Sequence, residues 1–161
     1  MTLYRDRAAF YRAALLVGLV RGEEVIAWAD EVIAADAPAP AAFIDIATTA
    51  PSDLTVLRHR LLMATDEHES PAVVGSLLGV VNRDLASGRR TLPDTMTVLK
   101  QLRAFIRVDR ALNEQLKTLG VDVALAAPGS PQRADAEQRV RGWLHQFDGT
   151  ARTFVGPRTD S

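Results

Sequence analysis

Three histidines, His59, His68 and His145, are the side chains here whose ordinary ionisation falls near neutral pH, and each stands alone in sequence. A metal site on one helix takes two histidines four positions apart, and no such pair occurs. The run Asp66-Glu67-His68-Glu69 offers oxygens to a cation, but four consecutive polar residues between helical segments read first as a solvated loop. Glu23-Glu24 and Asp30-Glu31 are paired carboxylates, yet adjacent residues on a helix point in different directions and cannot share a substrate. No Gly-x-Ser-x-Gly elbow presents a nucleophile. Gly75-Ser76-Leu77-Leu78-Gly79 falls inside a helical pattern instead of following a strand, so it reads as a place for close helix packing and not as a phosphate loop. Cysteine is absent, which removes disulfides, thiolate metal sites, iron–sulfur clusters and cysteine nucleophiles. The expectation is a protein that catalyses nothing and holds no metal or cofactor.

Binding chemistry is better represented. Lys100, Arg103, Arg107, Arg110 and Lys117 step by three and four along one helical pattern, with Glu114 in the gap, on the side away from its apolar seam. Such a stripe is either a solvated face or a docking surface for an acidic partner, and Arg89-Arg90 just before it would extend it. The acids Asp66, Glu67 and Glu69 form the opposite candidate, a contact for a cationic partner. Formal net charge is -1, which argues against nucleic acid, because phosphate binding ordinarily needs a large basic excess. The charge is nevertheless split: residues 1–80 carry six Arg and eleven acids, and residues 81–161 carry thirteen basic residues and nine acids, giving -5 and +4.

The elements that must carry these residues are helices. A length of 161 residues suits one domain, expected over residues 1–148 with a C-terminal tail at 149–161, and 47% hydrophobic content suffices for a core without staples. Tyr4, Ala8, Tyr11 and Leu15 share a stripe of a first helix running from Leu3 to Val20, which Arg21-Gly22 ends. A second helix follows over Glu23–Asp36, with Val25, Trp28, Ala29 and Val32 inward and acids in its first turn. Prolines at 38 and 40 break the chain before a short helix at Ala41–Thr48. After Pro51, Ser52 is expected to cap a helix reaching Thr65. Ser70-Pro71 opens the next, with Val74, Leu77, Leu78, Val81 and Leu85 inward and Gly88 closing it.

One long helix is expected from Pro93 to Leu119, terminated by Gly120. Its seam would be Val98, Leu102, Phe105, Leu112, Leu116 and Leu119, with Asp109 as the polar slot. Val121 to Gly129 reads as a linker with a short extended piece, and Ser130-Pro131 starts a last helix to Phe147. Trp28 and Trp143 are expected core anchors. The fold class is all-α, an irregular bundle or stacked helical hairpins of six to seven helices; no sequence repeat stands out.

Ala13 to Val20 has the apolarity of an export signal, but Arg21, Glu23 and Glu24 interrupt it before any cleavage site, and no stretch approaches the roughly 20 apolar residues of a membrane span. A cytoplasmic location is expected.

Gly18-Leu19-Val20, followed by Glu23-Glu24-Val25-Ile26-Ala27-Trp28-Ala29-Asp30, resembles the opening of small bacterial all-helical proteins in which a GL(I/V) turn precedes a WAD helix. The resemblance covers the first third of the chain. Some such proteins are immunity or accessory proteins of toxin systems, so it implies a partner protein and carries over no catalytic residue. The reading that results is a protein-interaction module, with an immunity-type inhibitor as its sharper form. A nucleic-acid-binding regulator using the basic stripe and a small metal or ligand protein built on converging histidines are the alternatives, and a homodimer through the long helix stays open.

Overall fold

The computed structural model describes residues 2–65 and 70–150. Asp66, Glu67, His68 and Glu69, and the tail from 151 onward, lie outside the described residues. The described chain is all-α, with eight helices and no strand among its residues. Where the sequence suggests one domain, the chain divides into two compact units, Met1–Val73 and Val74–Ser161.

The first unit contains α1 (Thr2–Leu16), α2 (Gly22–Ala35), α3 (Ala41–Ala47) and α4 (Leu54–Thr65). α1 packs on α4, and α3 packs on both α2 and α4. α1 stops at Leu16 because Gly18 adopts φ 75°, a left-handed turn that glycine enters without steric cost. The Arg21 amide then donates to Glu24 Oε2 at 2.8 Å, tying down the start of α2. Asp53, not Ser52, caps α4, accepting from the Val56 amide at 3.3 Å. Trp28 is the anchor the sequence suggests: it is buried, stacked on Tyr11 at 4.8 Å and edge-on to Phe43 at 5.2 Å. Tyr4 meets the same Phe43 at 5.6 Å. Its hydroxyl also hydrogen-bonds Asp36, and that bond, with desolvation and the carboxylate charge behind it, raises the phenol above its ordinary range. Arg60 ties α4 to the end of α3 through the Thr49 hydroxyl at 2.6 Å and the Asp45 carbonyl.

α5 (Pro71–Ala86) begins at Ser70, which accepts from the Val73 amide at 3.3 Å, and leads into the second unit with α6 (Leu92–Phe105), α7 (Arg110–Leu125) and α8 (Pro131–His145). α7 packs on α6 and on α8. Arg133 of α8 donates to the Val123 carbonyl at 2.9 Å, Trp143 Nε1 donates to Gln115 Oε1 at 3.0 Å, and Arg139 pairs with Asp122 at 3.6 Å. Trp143 is half-buried, a clamp along α7 more than a core anchor. Thr150 donates to the Gly75 carbonyl at 2.8 Å and accepts from Ser76 at 3.1 Å, and the rest of the expected tail lies outside the described residues. A Cβ on Gly75 would meet no neighbour within 4 Å, so helix approach is not what that glycine serves.

The single long helix is corrected to two. α6 ends at Phe105, Ile106 is extended (φ -105°, ψ 135°), and Asp109 caps α7 by accepting from the Leu112 amide at 2.8 Å. Gly120 lies inside α7, which runs on through the expected linker to Leu125.

The helix pair α5–α6 repeats the pair α1–α2, seventy positions on. Gly88 takes φ 76° where Gly18 takes 75°. The Arg90 amide bonds the Asp84 carbonyl as the Val20 amide bonds that of Ala14. α2 and α6 are both 14 residues long, and each ends on an extended residue whose amide bonds back four positions, Asp36 to Val32 and Ile106 to Leu102. Val25, Trp28, Ala29 and Val32 are buried in α2, and Thr95, Val98, Leu99 and Leu102 are buried in α6. Between α2 and α6 a buried position thus recurs at its counterpart while the residue there changes. The Ala14 and Val20 positions hold Asp84, 1% exposed, and Arg90, whose guanidinium lies 4.0 Å from the Asp84 carboxylate.

Because no charged residue falls between 74 and 80, the charge split follows the units, -5 in residues 1–73 and +4 in residues 74–161.

Candidate interaction site at the α6–α7 corner

The extended step at Ile106 decides which side chains face water. Along a continuous helix Phe105 would sit in the seam, but the helix ends there and Ile106 takes the inward place, 4% exposed, leaving Phe105 62% exposed. A phenyl ring in water forgoes about 2 kcal/mol of burial. Cations surround it in sequence: Lys100 and Arg103 on the last turns of α6, Arg107 in the connection, and Arg110 opening α7, all of them exposed.

Arg103 is the member whose orientation is fixed. Its Nε donates to Asn113 Oδ1 at 3.1 Å, bridging α6 and α7 across the corner. Asp109, the polar slot of the expected seam, is exposed and committed to its cap, and it sets where α7 starts.

The stripe is thus corrected in shape. Lys100 and Arg103 belong to one helix and Arg110 and Lys117 to another, so the five cations do not form one straight line. Lys117 is exposed on α7, two turns beyond Arg110. Arg89 and Arg90 precede α6 and are separated from the corner by its length, about 20 Å for 14 residues. Arg90 turns to Asp84 instead. Asp66, Glu67 and Glu69 lie outside the described residues, as does His68.

His59 is exposed on α4, and His145 is exposed in the last turn of α8. Among the described residues no group of three or more histidines and acids is placed to hold a metal ion, and no helix is long and apolar enough to cross a membrane. What the corner can do is bind: a flat aromatic face supplies apolar contact, and guanidinium groups pair with carboxylates in forked geometry. Phe105 itself was missed as a surface residue. Two β-branched residues at alternate positions, Ile106 and Val108, with a capping aspartate after them, are the signal that could have found it. No protein-family model matches the chain, and neither does any of the curated proteins or the solved structures compared with it.

Proposed function

We propose that this chain is a non-catalytic protein-interaction module that engages a partner protein through the α6–α7 corner. The observation that carries this reading is an aromatic ring 62% exposed among four exposed cations. Aromatic residues and arginine dominate the energetics of protein interfaces, the ring as a large, stiff apolar surface and the guanidinium as a planar fork that matches carboxylates. Phe105 is the anchor, covered when the partner arrives, and Lys100, Arg103, Arg107 and Arg110 speed encounter and select an acidic surface. A phosphate backbone is the less favoured ligand, because the same chain carries a unit of charge -5 that repels it.

The test is capture from the native host on tagged full-length chain after nuclease treatment, comparing wild type with Phe105→Ala and with Arg107→Glu. One stoichiometric protein held by wild type and at least about tenfold more weakly by each variant is the expected result. If that protein is toxic alone, the interaction is one of immunity. Equal retention by all three chains, or retention of nuclease-sensitive material alone, would remove the corner from function.

A further inference from the structure

The internal repeat pairs the corner with a second surface. Seventy positions before Lys100, Ala104 and Phe105 stand Asp30, Ala34 and Ala35, all exposed on α2. α2 carries Glu23, Glu24, Asp30 and Glu31 and no basic residue, and Ala27 between them is exposed as well. The same helix face thus occurs twice in the chain, once as acids around alanines and once as cations around a phenyl ring. Both versions are open to solvent within a single copy: Asp30, Glu31, Lys100, Arg103 and Phe105 are all exposed.

We propose that the occupant of the α6–α7 corner is the acidic α2 face of a second copy of this chain, which rests on the reading of the corner as an interaction site. Ala34 and Ala35, one turn beyond Asp30 and Glu31 at the end of α2, leave a shallow apolar patch, which receives the Phe105 ring. Lys100, Arg103 and Arg107 meet Asp30, Glu31 and Glu23 around it. Complementary charge suppresses the wrong pairings, α2 on α2 and α6 on α6, which set like charges face to face. Each copy carries one face of each sign, so every association joins unlike faces.

Sedimentation of the full chain over a concentration series, at about 50 mM and about 500 mM salt, tests this. Wild type is expected to self-associate at low salt and to dissociate as salt rises. The charge reversals Lys100→Glu with Arg103→Glu, and separately Asp30→Lys with Glu31→Lys, are each expected to give monomers. An equimolar mixture of the two variants is expected to associate again, because the reversed corner of one meets the reversed α2 face of the other, while the unaltered corner and α2 face still pair with their native signs. A monomeric wild type, self-association indifferent to both reversals, or a mixture that stays monomeric would overturn the proposal. If a different protein is captured through Phe105 while the wild type stays monomeric, this proposal falls and the interaction reading stands; if the corner variants also leave capture unchanged, both fall.

Discussion

Replacing Gly22 by alanine is expected to destabilise the protein by about 3 kcal/mol or more, although alanine is the better helix former by about 1 kcal/mol. Gly22 opens α2 and is buried against the chain that leads into α4. A Cβ there would overlap the Pro51 carbonyl oxygen, stand 2.8 Å from the Pro51 carbon and 3.1 Å from Leu57 Cδ1. Backbone cannot rotate out of the way as a side chain can, so either the Pro51 loop lifts or α2 loses its first turn. Gly142 is the control. It lies within α8, where a Cβ would meet nothing within 4 Å, and Gly142→Ala is expected to gain up to about 1 kcal/mol. Urea unfolding of both variants decides the matter through their midpoints. Similar midpoints for Gly22→Ala and wild type would mean that the Pro51 chain yields freely and that the close approach holds nothing together.

The second large effect concerns the ion pair that the repeat introduced. Arg90→Ala is expected to cost about 3 kcal/mol, because it removes the cation beside a carboxylate that is almost wholly out of water. The first unit shows what the position accepts instead, Ala14 and Val20 with the same backbone hydrogen bond beneath them. Asp84→Ala combined with Arg90→Val reproduces that pair and is expected to return to within about 1 kcal/mol of wild type, since apolar replacement of a buried ion pair is often neutral. A double-mutant cycle in urea reads the coupling directly. If Arg90→Ala alone costs no more than an ordinary surface change of about 0.5 kcal/mol, the pair is not what satisfies Asp84.

Where the sequence was legible, the signal was local and steric. Ser70-Pro71 and Ser130-Pro131 mark helix starts that the structure places at Pro71 and Pro131, and the turn before Gly22 falls where the polar break put it. The corner was not legible, because the heptad spacing of Leu102, Phe105, Asp109 and Leu112 runs through the break undisturbed. A periodic pattern describes where residues would lie if the helix continued. It cannot say whether Asp109 spends its carboxylate on a cap, and that choice moved Phe105 from core to surface. The repeat was hidden for a different reason. Burial is shared between α2 and α6 while residue types are not, as with Val25 and Thr95 or Trp28 and Val98, and across residues 2–36 identity with the position seventy later survives only at Leu15, Gly18 and Ala34. Packing constrains volume and polarity at a position, so two units can keep one backbone plan and lose their sequence likeness.

The two helix pairs also differ on their outward faces. Core positions were constrained in both units, whereas the outward face of α2 and its counterpart on α6 were free to take opposite charge. Phe105 stands where α2 has Ala35, so the second unit presents an exposed ring that the first lacks at that position.

Hydrogen exchange on the purified complex, read peptide by peptide against the free chain, tests the corner most directly. Residues 100–113 are expected to gain protection on binding, most of all the exposed connection at 106–109, while α8 exchanges as it does in the free chain. Protection confined to segments away from the α6–α7 corner, with 100–113 unchanged, would contradict the account.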